Sequence, residues 1–289
     1  MSESENLRRV RASIGEMPAL PVTVGKVVDV CNTPGTSPVD LNRVISLDPV
    51  LMARVMRLIN SAYYGMSTRI NSLVRAIIML GLNTVKNLAL STAVIGNLNH
   101  GANFQALNAR GFWRHSLGVG VTAKLLAKRR GVHSRVWEEY FIAGLLHDIG
   151  KIPMNRALAD EFIDVMGQSD LRHIPLHQAE RERFGFSHVD AGDMIGETWN
   201  LQEAFMDAIL HHHDPEAYAG SQRDLVLTVS VANYFVNIAE IGFSGDRYPA
   251  HLSDALFAEL GIDRDLIDEM EDEVHREIEK AEVFLQDVG

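Results

Sequence analysis

Helix-start signals are the features of this 289-residue sequence that most restrict its fold. Ser37-Pro38-Val39-Asp40 places a capping serine before a proline at the first helical position, with a carboxylate in the first turn. Asp48-Pro49 repeats this arrangement, and Ser187-His188-Val189-Asp190 is a capping box that puts His188 in a first helical turn. Apolar residues then recur at steps of three and four, and no strand-like alternation extends far. The sequence therefore predicts an all-α fold.

Breaks in the helical pattern divide the chain into four predicted segments. Residues 1–16 form an N-terminal helical leader, and residues 17–100 form a bundle of short helices. A break at Asn97–Gly101 leads to a second helical bundle over residues 101–245, which contains most of the histidines. Residues 246–289 are predicted to form acidic helices that pack on the domain.

The last of these helices is predicted to have an apolar stripe beneath an acidic outer face. The stripe residues recur at steps of three and four and are Ile267, Met270, Val274, Ile278, Ala281 and Leu285. Packing back on the domain is the preferred interpretation, and a dimerising or partner-binding helix is the alternative.

The charge and the cysteine content limit the classes of function. The formal net charge is −11, and the segment from Ser253 to Asp287 contains 13 acidic and 3 basic residues. Nucleic-acid phosphates repel such a chain, and the run Lys128-Arg129-Arg130 is too short to reverse this. The single cysteine, Cys31, excludes an intramolecular disulfide. Because neither a signal-peptide pattern nor an apolar run of roughly 20 residues is present, we expect a cytoplasmic protein that binds neither nucleic acid nor membrane.

Histidines recur on or beside the inward faces of the predicted helices. The set consists of His115, His147-Asp148, His188 and His211-His212. Imidazole and carboxylate are the usual protein ligands of zinc, iron and manganese, and Asp148 can bridge two adjacent metals. For any one of these residues, a hydrogen-bonded core histidine is the commoner explanation. The six residues together favour a metal site, with a metal-free core as the alternative.

The wider sequence resembles the HDOD family (HD-related output domain) over about residues 17–240. The resemblance is carried by Pro18-Ala19-Leu20-Pro21, Ile45-Ser46-Leu47-Asp48-Pro49, Asn60-Ser61-Ala62-Tyr63-Tyr64-Gly65 and Ala76-Ile77-Ile78-Met79-Leu80-Gly81. The histidine set, with Lys151, resembles the metal motif of a sister group, the HD-GYP cyclic-di-GMP phosphodiesterases. The resemblance implies an HD-domain-like helical bundle with an N-terminal helical subdomain, found in bacterial signalling proteins. Most members of the HDOD family lack the metal motif.

The resemblance to the HD-GYP enzymes also implies two ligand sets. One metal would be held by His115, His147, Asp148 and the position of Asn233, and the other by Asp148, His188, His211 and His212. Asn233 replaces the aspartate of the enzymes, and no Gly-Tyr-Pro follows His211-His212-His213-Asp214-Pro215. Since an amide oxygen is a weaker ligand than a carboxylate, we expect one divalent metal rather than two, with iron, manganese, zinc and nickel as alternatives. Lys151 is the candidate catalytic residue, as a charge or proton donor to a phosphate.

Three functions are compatible with the sequence. The first is a bacterial signal-transduction output domain that docks a protein partner and retains a structural or vestigial metal site. The second is a metal-dependent phosphohydrolase that acts on a nucleotide or another small phosphate ligand. The third is a metal-free helical scaffold. The missing Gly-Tyr-Pro favours the first, and the retained histidine set favours the second; the partner and the oligomeric state stay open.

Overall fold

The N-terminal part of the chain is a bundle of short helices. The computed structural model describes residues 4–99 and 104–285, without the side chains at 99, 267 and 268. The helices of this part are α1 (Glu5–Gly15), α2 (Val22–Asn32), α3 (Pro38–Ile45), α4 (Pro49–Ile59), α5 (Leu73–Leu80) and α6 (Leu82–Asn99). The capping box of Ser37 and Asp40 begins α3, and the Asp48 carboxylate accepts two backbone N–H groups at the start of α4. Both predicted helix starts are therefore present.

The central part contains the histidines. Its helices are α7 (Ala109–Arg129), α8 (Trp137–Leu146), α9 (Lys151–Ala157), α10 (Ala159–Arg172), α11 (Leu176–Phe184), α12 (His188–Thr198), α13 (Glu203–His211) and α14 (Arg223–Ile238). A short 3-10 helix, Ser134–Val136, precedes α8. The long helix α7 packs against both α8 and α14 and forms the centre of this bundle.

The C-terminal part packs back on the central bundle. It consists of α15 (Asp254–Leu260), α16 (Arg264–Glu269), α17 (Glu271–Ala281) and a 3-10 helix, Glu282–Leu285. Val274, Ile278 and Ala281 of α17 are buried, and α17 contacts α7. The predicted stripe is not on a single helix: it extends over α16, α17 and the 3-10 helix that contains Leu285. The side chain of Ile267 lies outside the described part of the structure.

The described residues contain no β-strand, so the all-α prediction is confirmed. The predicted break at Asn97–Gly101 is not wholly present, because α6 continues to Asn99; residues 100–103 lie outside the described residues. Buried apolar side chains form one contiguous core from Val10 to Phe284. The segments predicted from the sequence therefore share a core.

No single helix among the described residues is long and apolar enough to cross a membrane. Two consecutive helices, Leu73–Leu80 and Leu82–Leu98, are together long and apolar enough for a membrane span, but they are bent by 116° at the break between them.

A buried ion pair of the central bundle is contacted by the segment that follows α4. Lys124 of α7 pairs with Glu138 of α8, and both side chains are nearly inaccessible to solvent. The Lys124 ammonium lies 4.4 Å from the Tyr63 ring centroid, and Tyr64 donates a 3.2 Å hydrogen bond to Glu138. Burial lowers the pKa of Lys124, but Tyr63 and Glu138 outweigh this and raise that pKa above its ordinary value. Two tyrosines of the Asn60–Gly65 segment therefore contact a charged pair in the other bundle.

We expect Glu138→Gln to lower the free energy of unfolding by roughly 3–5 kcal/mol, because it leaves the buried Lys124 charge without a countercharge. Urea unfolding followed by circular dichroism measures this change. The neighbouring, more exposed Glu139→Gln is the matched control and should change the stability by less than about 0.5 kcal/mol. Equal stability of the two variants would contradict a structural role for the pair.

Candidate metal centre

A close contact between α7 and α8 brings the first two site histidines together. Gly120 of α7 faces Gly144 of α8, where an added Cβ on Gly144 would lie 2.8 Å from the Gly120 Cα. Only a residue without a side chain allows this approach. As a result, the ring of His115 on α7 lies 5.5 Å from the ring of His147, which follows the last residue of α8.

The N-terminus of α12 approaches the same point through another glycine contact. An added Cβ on Gly150 would lie 1.9 Å from the backbone carbonyl oxygen of His188, so a side chain at Gly150 would force α12 away. The predicted capping box of Ser187 and Asp190 is present and fixes His188 as the first residue of α12. The capping signal in the sequence therefore gave the correct position of His188.

Asp148 lies at the centre of the cluster, in the turn between α8 and α9. Its Oδ2 atom is 3.8 Å from Nε2 of His115 and 3.3 Å from Nε2 of His147. Its Oδ1 atom is 3.2 Å from Nε2 of His188 and 3.6 Å from Nε2 of His212. The two carboxylate oxygens thus face two different pairs of imidazoles.

Hydrogen bonds at Nδ1 orient three of these rings. Nδ1 of His147 lies 2.7 Å from the Gly144 carbonyl, and Nδ1 of His212 lies 3.0 Å from the Ala208 carbonyl. Nδ1 of His188 lies 2.6 Å from Oε2 of Glu180. A carbonyl can only accept, so Nδ1 of His147 and of His212 carries the proton and Nε2 keeps its lone pair toward Asp148. Burial lowers the pKa of His188, but Glu180 outweighs this and raises that pKa to about 9, so a bound cation would displace a proton from Nε2 of His188. Metal-binding histidines in proteins are commonly held in this way.

The pKa values follow from the burial of the site and from its charges. Burial lowers the pKa of His115 well below its ordinary value and that of His212 to about 4. Burial opposes the charged form of Asp148, but His147 and Lys151 outweigh this and hold the pKa of that carboxyl well below its usual range. A neutral imidazole and an ionised carboxylate are the protonation states in which these groups bind a cation.

Two further predicted residues lie beside the cluster. The Lys151 ammonium is buried and lies 2.7 Å from Oδ2 of Asp148. Asn233 of α14 is buried next to His115, and its side-chain oxygen accepts a 2.8 Å hydrogen bond from Asn237.

His211 is the predicted ligand that the structure places elsewhere. It is the last residue of α13, and its ring packs on Tyr218 at 4.6 Å. Because the chain leaves the helix after His211, the next two residues turn toward Asp148 instead. Nε2 of His213 lies 2.9 Å from Nε2 of His188, so His213 occupies the position expected for His211.

Sequence reasoning also missed Glu180 and His177. Glu180 accepts hydrogen bonds from both the backbone and the ring of His188, but it lies on α11, where no local pattern connects it with the site. The ring of His177 stacks on that of His213 with centroids 4.0 Å apart. His177 and His213 are both half-buried, so their rings connect the buried cluster with the surface.

The donor set fits a divalent cation. Within the described residues, two groups of ligand atoms lie within 4.8 Å of one another: Asp148, His188, His212 and His213, and His115, His147 and Asp148. Nε2 of His115, of His147 and of His212 is buried without a hydrogen-bond partner in the described part of the chain. Such atoms destabilise a fold unless a ligand satisfies them, and imidazole with carboxylate suits zinc, iron and manganese.

The two candidate ligands at the end of α13 can be separated by substitution. We expect His213→Ala to weaken metal affinity by more than about tenfold, whereas His211→Ala should leave it unchanged. Elemental analysis of purified protein after equilibration with limiting Mn²⁺, Fe²⁺ or Zn²⁺ measures the retained metal. Loss of metal in His211→Ala with retention in His213→Ala would reverse the assignment.

Solved structures with this fold come from several bacteria. An HDOD domain protein of unknown function from Geobacter sulfurreducens is 31% identical, with a TM-score of 0.76, and the match covers 96% of this chain and 97% of that one. A protein of Marinobacter aquaeolei, provisionally named a signal transduction protein, is 22% identical with a TM-score of 0.74; the match covers 97% of this chain and 66% of that one. A Shewanella amazonensis protein, provisionally named a metal-dependent phosphohydrolase, is 18% identical with a TM-score of 0.61, covering 96% of this chain and 99% of that one. The two latter matches show the fold alone.

The sequence comparisons agree with the structural ones. An uncharacterized protein of Treponema pallidum is 26% identical over 231 residues, which is 78% of this chain and 43% of that protein. The match thus spans less than half the length of this relative. The sequence profile of the HDOD domain matches residues 17–215, from the end of the first helix to the turn that contains His212 and His213. The chain belongs to the HDOD domain family.

Proposed function

We propose that this chain is a signal-transduction domain that docks a protein partner and uses one divalent cation as a structural part of its helical core. The observation that carries the proposal is the burial of the cluster. His115, His147, Asp148, His188 and His212 are each at most 2% exposed, and His213 is half-buried. A hydrolase must bring its metal into contact with a substrate, whereas a structural site is closed by protein ligands.

The group around Oδ1 of Asp148 would hold the cation. It consists of Asp148, His188, His212 and His213, which belong to the turn after α8, the start of α12 and the end of α13. A bound cation would supply positive charge between these three segments and would satisfy Nε2 of His212. Because the unfolded chain lacks this arrangement, the binding free energy would stabilise the folded state.

The group around Oδ2 is less suited to a second cation. The Lys151 ammonium is already 2.7 Å from this oxygen and would repel a dication there. The fourth position belongs to Asn233, a neutral amide whose oxygen is engaged by Asn237. These contacts favour a single occupied site.

Exposed apolar side chains support the docking part of the proposal. Large apolar residues that are more than half exposed are concentrated on α3, α4, α5 and the α3–α4 turn: Val39, Leu47, Val50, Ile78 and Met79. Helix α3 contacts both α4 and α5, so these residues lie on neighbouring elements of the N-terminal bundle. Exposed apolar residues on neighbouring elements favour a protein-binding site. We propose a partner with an apolar surface of its own, encountered in the cytoplasm.

One observation favours a metal-dependent phosphohydrolase as the second candidate. The two oxygens of Asp148 face two separate imidazole pairs, which is how a carboxylate bridges two metals. In that function the metals would supply Lewis-acid polarisation of a phosphate, and Lys151 would contribute a positive charge beside it. The burial of both His147 and Lys151 argues against access of a substrate.

Metal titration with a parallel activity assay distinguishes the two candidates. At about 100 times its Kd, a cation bound only by the folded chain adds about 2.7 kcal/mol of stability, so the Tm of wild type should rise by several degrees. His211→Ala should show the same increase and His213→Ala little or none. No turnover of bis(p-nitrophenyl) phosphate or of a cyclic dinucleotide is expected with any metal. Metal-dependent turnover by wild type that a chelator abolishes would favour the phosphohydrolase.

Docking can be tested with a charge placed on the exposed apolar surface. Leu47→Glu should leave metal content and Tm unchanged, because Leu47 is 65% exposed, but it should fail to restore the transcript profile of a deletion strain. Leu171→Glu is the matched control, since Leu171 is 77% exposed on a different helix, and it should restore the profile fully. If both variants complement equally, the α3–α5 surface is not the docking site.

A further inference from the structure

Four charged side chains other than histidines are buried in the region of the metal centre. They are Asp148, Lys151, Glu180 and Asp246, and each is at most 3% exposed. Asp148 and Lys151 pair with each other, and Glu180 accepts hydrogen bonds from His188. Asp246 belongs to neither group of candidate ligand atoms in the described part of the chain. A buried carboxylate that is not a ligand needs another explanation.

Asp246 lies on the loop between α14 and α15, which two glycines hold against the central bundle. Gly242 has a φ of 72°, and an added Cβ there would lie 2.4 Å from the backbone nitrogen of His115. Gly245 has a φ of 92°, and an added Cβ there would lie 3.1 Å from the Leu176 side chain. Both positions favour glycine by conformation and by space. The loop therefore fixes Asp246 beside the start of α11.

The same loop approaches helix α9, which begins with Lys151. Asn155, one helical turn after Lys151, accepts hydrogen bonds of 2.9 and 2.8 Å from two backbone N–H groups, the second of them from Leu107. The Leu107 side chain would in turn lie 3.3 Å from a Cβ on Gly245. Burial raises the pKa of the Asp246 carboxyl, and the nearby Lys151 charge lowers that pKa. Asp246 is thus within electrostatic reach of Lys151.

One oxygen of Asp246 is held by the loop contact, and the other is not held at all. Oδ1 accepts a 3.3 Å hydrogen bond from the backbone N–H of Leu176. Oδ2 is buried and has no hydrogen-bond partner among the residues that the structure describes. A buried carboxylate in this state destabilises the fold unless positive charge compensates it.

The buried charges of the region are opposite to those of a dication. Three carboxylates face the single Lys151 ammonium, and imidazoles that bind a metal are neutral, which leaves two negative charges. The buried Lys124 and Glu138 pair with each other, and the buried Lys86 lies on α6, which carries none of the candidate ligands. With Asp246 neutral, a dication would leave a net positive charge in the protein interior, which is unfavourable.

We propose that Asp246 is a specificity-determining residue of the metal centre, which matches the site to a divalent cation by its charge and does not bind the cation itself. Lys151 cancels one negative charge next to Asp148, and Asp246 replaces it. This inference rests on the cation site of the proposed function and identifies the residue that sets its charge.

A charge-rescue experiment tests the proposal. Asp246→Asn keeps a side-chain oxygen for the Leu176 N–H and removes the charge, so in titrations of the full chain it should raise the Kd for Mn²⁺ or Zn²⁺ by more than about tenfold. Adding Lys151→Met removes the opposing positive charge and should restore most of the affinity. Asp164→Asn, the same substitution at an exposed position of α10, is the control and should bind like wild type.

Thermal unfolding in EDTA gives a second readout that does not depend on the cation. A merely structural Asp246 would lose stability on substitution, whereas Asp246→Asn should not lower the Tm, because it removes a buried negative charge near two others. The proposal is overturned if Asp246→Asn binds the cation as tightly as Asp164→Asn, if Lys151→Met fails to rescue it, or if its Tm in EDTA falls. A wild type that retains no cation overturns the proposed cation site as well, whereas normal binding by wild type and Asp246→Asn overturns the role of Asp246 alone.

Discussion

The carboxylate of Asp148 is the group around which the central bundle is organised. A buried carboxylate is strongly unfavourable unless charges and hydrogen-bond donors surround it, and here they come from separate elements of the chain. His115 lies on α7, His188 begins α12, His212 follows α13, and Lys151 begins α9. None of these elements can move far from Asp148 without leaving its charge uncompensated. The polar cluster therefore fixes how these helices are arranged around Asp148. Apolar packing alone would specify that arrangement less strictly.

Local signals in the sequence predicted the helices and part of this cluster. Ser37, Asp48 and Ser187 marked true helix starts, because a side-chain cap is a property of four consecutive residues. The same kind of local signal put His115 on the inward face of a helix and His188 at a helix start, where the structure has them. His213 was missed and His211 was chosen instead, since side-chain direction beyond the last helical turn depends on how the chain leaves the helix. Glu180 was not predictable, because only tertiary packing brings α11 to His188.

The Asn60–Gly65 segment has a physical role that its sequence alone did not reveal. Asn60 fixes the end of α4 to Ile70, while Tyr63 and Tyr64 reach across to the ion pair of Lys124 and Glu138. The Tyr63 ring also contacts Phe284, with centroids 5.6 Å apart, so the C-terminal residues close over the same junction. One short segment thus joins the N-terminal helices, the central bundle and the C-terminal helices, which accounts for the continuous core.

Helix α7 connects the metal centre with the C-terminal helices physically. Arg114 and His115 are consecutive on this helix, so their side chains leave it about 100° apart. Arg114 pairs with Glu282 of the C-terminal 3-10 helix, whereas His115 faces Asp148. Gly120, one turn further along, packs so closely on α8 that α7 cannot shift without moving His147 as well.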